Sequence, residues 1–185
     1  MKRFVSLLLM LTLVVCVGSV AYAALDQSLM DLPFKERAAN VYNSSLKKVE
    51  LSVIKEGKST KTTYNSIYIP VKDVFKRSGA TFEWDGKKKI TTIKNEGQEL
   101  ILNFSGKEIT AGNNQVVLPQ EWVQLKNGVS SMDAFVLAYI FELSTDDSDQ
   151  ERVDWKEKLN FLDIKGTTGF PGLDKYMHVF VQFND

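Results

Sequence analysis

Two residue types that carry much of protein chemistry are nearly missing from these 185 residues: there is one cysteine and one histidine. A single imidazole excludes any centre built on two, and with it a mononuclear copper oxidase site, which needs several. The one cysteine, Cys16, lies in an N-terminal segment expected to be removed, so neither a disulfide nor a thiol nucleophile is expected in what remains. Charge of one sign is missing too. With 23 Lys and Arg against 23 Asp and Glu and a pI near 6.6, no basic surplus exists to neutralise phosphates, and nucleic-acid binding is not expected. The length gives room for one ordinary domain or two small ones.

What is present begins with a signal. Lys2 and Arg3 open the chain, Phe4 to Val17 are almost all apolar, and Ala21-Tyr22-Ala23 supplies small residues, the pattern of a secretory signal peptide over residues 1–23. The apolar run is shorter than the roughly 20 residues of a membrane-spanning helix, and Gly18-Ser19 interrupts it. Cleavage is expected between Ala23 and Ala24, leaving a chain without cysteine or membrane span. Lipidation at Cys16 is not expected, because Val15 precedes it where such signals carry Gly, Ala or Ser. The expected location is outside the cell, secreted or wall-associated.

Residues 24–48 read as a short helix or a tether, and residues 49–185 as one domain. Val49, Leu51 and Val53 alternate with polar neighbours as a strand, and Glu56-Gly57-Lys58 turns the chain. Val71, Val74 and Phe75 fall at i, i+3 and i+4 between Pro70 and Gly79, a short helix with one buried face. Phe82 and Trp84 share a strand face before Asp85-Gly86, where the glycine is expected to take the positive φ of a hairpin. Strands are expected at 89–94, through Leu100, Leu102 and Phe104, at 116–118 and at 122–125. A second helix is expected to start at Ser130-Ser131, capped by a hydroxyl, and to carry Met132, Phe135, Val136, Tyr139, Ile140 and Leu143 on one face. Met132, Phe135 and Val136 sit at an offset of 61 from Val71, Val74 and Phe75, which suggests a degenerate internal repeat. In its second copy Val153-Asp154-Trp155 would echo the strand Phe82-Glu83-Trp84. The tail is expected to rejoin the sheet through Met177, Val179, Val181 and Phe183, with Gly166 to Gly172 as a loop.

Tyr68-Ile69-Pro70-Val71-Lys72-Asp73-Val74-Phe75 followed by Gly79-Ala80-Thr81-Phe82-Glu83-Trp84-Asp85-Gly86 resembles the copper amine oxidase N-terminal-like domain, widespread in exported proteins of Gram-positive bacteria. The likeness runs through Leu100-Ile101-Leu102, Ala111-Gly112-Asn113 and Asn127-Gly128, over residues 49–143. Lys72 stands where the family often has Arg, and the second copy has Ser131 in place of Pro. The resemblance implies an α+β fold, a twisted antiparallel sheet packed on one or two helices, used as a non-catalytic stalk or accessory module. It implies no oxidase activity and no cofactor, because copper and quinone belong to a separate domain in those enzymes. The partners it suggests are a cell-wall polymer or another exported protein.

Several residues have a chemical reading beside a plainer one. Asp147, Asp149 and Glu151 alternate as calcium ligands do, but Arg152 stands where an EF-hand needs Gly and no Glu follows at the twelfth position, which favours a solvated loop. Trp84, Trp122 and Trp155 could stack on sugars, although apolar neighbours at period two favour core packing on strands. His178 alternates with Met177 and Val179 and reads as an outward-facing sheet residue. No Gly-x-Ser-x-Gly elbow precedes a serine. A hydrolase working through paired carboxylates remains as the alternative reaction, beside a carbohydrate or small-ligand site built on exposed aromatics.

Overall fold

A computed structural model describes residues 27–42, 45–111 and 114–185. The expected signal peptide, with Cys16 and the Ala23–Ala24 junction, lies outside the described residues. Within the segment 24–48, Phe34–Tyr42 forms helix α1, whose Phe34, Ala38 and Tyr42 are buried.

The α+β class holds, and the strands divide among three sheets. Strands β1 (Val49–Lys55) and β2 (Lys58–Tyr64) form a hairpin, joined on its other side by strands from the far end of the chain, β11 (Ile164–Pro171) and β12 (Met177–Phe183), in the order β11-β12-β1-β2. Strands β1 and β12 run parallel, with Val49, Leu51 and Val53 beside Met177, Val179 and Val181. All six are buried, because strict alternation sends every second side chain to the same face. The second sheet is a five-stranded antiparallel meander of β4 (Thr81–Asp85), β5 (Ile90–Asn95), β6 (Gln98–Asn103), β7 (Glu108–Ala111) and β8 (Asn114–Val117). The third holds β3 (Tyr68–Pro70), β10 (Val129–Asp133) and β9 (Val123–Lys126).

Three of the hairpins close in the same way. Glu56-Gly57, Glu96-Gly97 and Asn127-Gly128 all have positive φ at both positions, the turn whose twist matches that of the strands it joins. The β4–β5 connection departs from expectation. Its positive φ falls on Lys89 rather than Gly86, because Asp85 folds the chain by accepting the backbone N–H groups of Lys87 and Lys88.

Helix α2 (Val71–Phe75) buries Val71, Val74 and Phe75 as its spacing requires. Helix α3 (Ala134–Ile140) is shorter than expected and is capped by Asp133, which accepts from Phe135 and Val136 N–H, not by a serine. Ser130 and Ser131 belong to β10. All seven residues of α3 are buried, so it is enclosed on every side. Helix α1 covers it: the Phe34 ring lies 5.0 Å from Trp122 and 5.4 Å from Tyr139, and Tyr42 lies 6.3 Å from Phe135.

The repeat is present at the level of elements, with a different offset. Strand β3 leads into α2 as β10 leads into α3, and the two strands pair antiparallel with Ile69 opposite Met132. Matching the helix starts, Val71 and Ala134, gives 63 rather than 61. The second copy then diverges, because Val153-Asp154-Trp155 lies in helix α4 (Gln150–Lys158), not in a strand. The stretch from Gly166 to Gly172, expected as a loop, is mostly strand β11. Its glycines mark close approach: a Cβ at Gly166 would meet Leu143 at 2.4 Å, and one at Gly169 would meet Met177 at 2.5 Å.

Candidate functional site

The acidic segment 144–151 is organised around a cation, and that cation is Arg152. Its side chain is fully buried. The guanidinium donates to the carbonyls of Ile140 (3.2 Å), Glu142 (3.5 Å), Thr145 (3.2 Å) and Asp146 (2.9 Å), and to Asp147 Oδ1 (2.7 Å). The three calcium candidates do not converge. Asp147 pairs with Arg152, Glu151 pairs with Arg37, and Asp149 caps α4 while taking Arg37 Nε at 2.8 Å and the Tyr139 hydroxyl. No group of three or more His, Cys, Asp or Glu among the described residues is arranged to hold a metal ion.

The tryptophans separate as well. Trp122 precedes β9 and is 3% exposed, with Phe34 at 5.0 Å on one side and Trp155 at 4.7 Å on the other. Trp155 sits on α4, half-buried under the Lys158 ammonium. Only Trp84 of the three is substantially open, at 44%. They form no shared platform for a sugar, because two of them are spent on core packing.

Three carboxylates are enclosed among the described residues, Asp149, Glu142 and Asp133, and each is occupied. Glu142 Oε2 accepts from the Tyr42 hydroxyl (2.6 Å) and Gly169 N–H (3.0 Å), while Oε1 accepts from Ser144 Oγ (2.9 Å). Burial pushes the Tyr42 hydroxyl well above its usual value, and Glu142 adds to the effect. Asp133 pairs with Lys35 at 3.2 Å. Burial raises its carboxyl above the ordinary range against the pull of Lys35 and of the α3 N–H groups.

His178 is held on the outer face of the sheet between two carboxylates, with Nδ1 2.8 Å from Glu50 Oε1 and Nε2 3.2 Å from Asp174 Oδ1. Phe170 stacks on its ring at 5.3 Å. The Lys61 ammonium, also 2.8 Å from Glu50 Oε1, holds that carboxyl below its usual value, and His178 adds to the shift. Asp174 is likewise held low by the Tyr176 N–H and then by His178. With the one imidazole of the chain engaged at both nitrogens, these residues do not fit copper.

A polar opening lies elsewhere, between the β5–β6 turn and the turn that follows α4. It is a polar cleft of about 330 Å³, lined by Asn95, Glu96, Gln98, Asn160, Phe161 and Asp163. The left-handed pair Glu96-Gly97 shapes one wall. The other is a helical turn over Asn160–Leu162 that ends on Asp163 at φ 60°. Asn184 fixes Asp163 from the end of β12, its amide donating to Oδ1 at 2.9 Å and its N–H to the carbonyl at 3.2 Å. Apart from Asp163, none of the polar lining side chains is engaged by a hydrogen bond or ion pair among the described residues. The cleft does contain two carboxylates, Glu96 and Asp163. Glu96 is exposed at a turn tip, outside the apolar enclosure that a general acid requires. By contrast, the apolar cavity against α3, lined by residues such as Leu137 and Trp122, is only about 20 Å³, room for no more than a water. Sequence reasoning missed the cleft, whose residues are ordinary turn polar groups without periodicity or motif.

A buried helix among small, mostly antiparallel sheets, with the buried charges of the described residues paired in the structure, defines a module of the α+β class. The chain belongs to the copper amine oxidase N-terminal domain family, which matches residues 46–155. That domain is the accessory part of those oxidases, not their catalytic part. Comparison with curated proteins and with solved structures returns no match. The match ends within α4, so β11, β12 and the 160–163 wall of the cleft lie beyond it. No helix among the described residues is long and apolar enough to cross a membrane.

Proposed function

We propose that this protein is an exported accessory module of a Gram-positive cell envelope that performs no chemistry and binds a partner, either a wall polymer or another exported protein. The observation that carries the binding role is the cleft at 95–98 and 160–163. A passive stalk has no need of a preformed polar cavity of about 330 Å³ whose walls are fixed by a left-handed turn and by Asn184. Export is supported by the signal-peptide pattern of residues 1–23 and by a chain otherwise free of cysteine. The absence of chemistry is supported by the commitment of its buried charges: Arg152, Asp149, Asp133 and Glu142 all serve to hold helices and loops in place.

The test is capture by purified wall and by secreted proteins of the source organism, with and without calcium. Retention that calcium leaves unchanged is the expected result. No retention in either condition would leave a passive structural role in its place.

A further inference from the structure

Resting on the reading of the cleft as a binding site, we propose that its ligand is a neutral, hydroxyl-rich sugar chain. Its size places it at the lower end of ligand pockets, which run from about 300 to 1,000 Å³, and suits one or two sugar rings rather than a folded partner. Most pockets of that size are lined by apolar side chains. Here the lining is mainly three amides, from Asn95, Gln98 and Asn160, and two carboxylates, from Glu96 and Asp163. A lipid or an aromatic ligand would desolvate those groups without giving them partners.

Charge narrows the class further. No Lys, Arg or His lines the cleft, so nothing there neutralises a phosphate or a uronate, and the two carboxylates repel one. Hydroxyls are the complementary group. Each both donates and accepts, while an amide offers two donors and an acceptor and a carboxylate offers acceptors only. The side chains of Asn95, Glu96, Gln98 and Asn160 are free to meet them, being engaged by nothing else in the described protein.

Phe161 supplies the apolar component. Its ring is half-buried and borders both the polar cleft and a neighbouring crevice lined by Phe75, Ile93 and Leu100. The crevice has only about 20 Å³ of space, so the ring remains as a surface on which the C–H face of a sugar can rest. The walls are set before binding, by Glu96-Gly97 on one side and by the Asn184 contacts to Asp163 on the other. Preorganisation of this kind lowers the ordering cost of a ligand whose own contacts are weak. One wall falls inside the family match and the other outside it, which makes the cleft a joint product of the shared domain and this chain's own tail.

The probes are N-acetylglucosamine tetramer and cellotetraose as neutral chains, with oligogalacturonate and glycerol-phosphate oligomer as anionic ones, titrated into the full protein followed by ¹⁵N–¹H NMR. The expected result is shifts confined to residues 95–98 and 160–163, including the Asn and Gln side-chain amides, with a neutral probe only. The variant pair Gln98→Ala with Asn160→Ala should weaken that binding about tenfold, the loss of two net hydrogen bonds. Its Tm should be unchanged, since both side chains are exposed and unpartnered. Shifts at the cleft with an anionic probe, or shifts elsewhere with a neutral one, overturn the assignment. If neutral probes move nothing while the protein is still retained by wall or by an exported protein, the sugar class falls and the binding module stands. If nothing is bound or retained at all, both readings fall together.

Discussion

At the scale of the residue, Arg152 does inside this protein what a bound cation does in an acidic loop. Its guanidinium gathers four backbone carbonyls and one carboxylate from the chain between Ile140 and Asp147, and it is delivered by the first turn of α4. Removing it leaves the carbonyls of Ile140 and Glu142 buried without that donor, so Arg152→Met should cost about 2–4 kcal/mol, read as a lower Tm and faster proteolysis between Ser144 and Asp149. Calcium should leave the Tm of the unmodified protein where it is. A calcium-dependent rise would restore the three acidic candidates as ligands. The alternation of Asp147, Asp149 and Glu151 was plain in the sequence, and so was the oddity of Arg152 beside them. That the arginine turns inward was not, because nothing local distinguishes a solvated Arg from a buried one. Glu50 gives a second prediction. Its carboxyl is held below the ordinary value by Lys61 first and by His178 after it, so its contribution to stability is present above the unfolded value and is lost as pH falls through the folded one. Glu50→Gln should therefore melt below wild type at neutral pH, with the gap closing below about pH 4. A gap that persists undiminished at lower pH would contradict this.

At the scale of the element, the legible parts were those where one local rule decides. Val71, Val74 and Phe75 between Pro70 and Gly79 form the short helix that their spacing predicts, and the glycines of the Glu-Gly and Asn-Gly pairs mark turns with positive φ. The helix α3 start was misplaced because two serines and an aspartate compete to cap it. Asp133 wins, since Ser130 and Ser131 are drawn into the ladder between β9 and β3. Asp133→Ala should accordingly lower stability by about 1–2 kcal/mol, whereas Asp133→Asn should retain most of the cap; equal melting of the two variants would contradict the assignment. Trp155 was assigned to a strand by analogy with Trp84, and the capping Asp149 put it on a helix instead. The parallel pairing of β1 with β12 joins residues more than 120 positions apart and leaves no local trace. A chain ending at Trp155, where the family match ends, would lose β11 and β12 and expose Val49, Leu51 and Val53. It should show no cooperative thermal transition by circular dichroism; a normal melt would show that the sheet does not depend on its tail.

At the scale of the whole molecule, the α+β class and the family were within reach of the sequence, because alternation and a run of matched residues bear on them directly. The cleft was not. Its walls are two short turns more than 60 residues apart, and both read in isolation as solvated connections. Only the fold brings the β5–β6 turn beside the turn after α4, where Asn184, just past the end of β12, helps to hold the second wall in position. The central claim is that this cleft is the binding surface of the module. The measurement that tests it most directly is retention on the organism's own purified cell wall, comparing the wild-type protein with the Gln98→Ala/Asn160→Ala variant at matched Tm. Retention of the wild type and loss of the variant is the predicted result. Equal retention of the two would contradict the claim and move the binding surface to another part of the molecule.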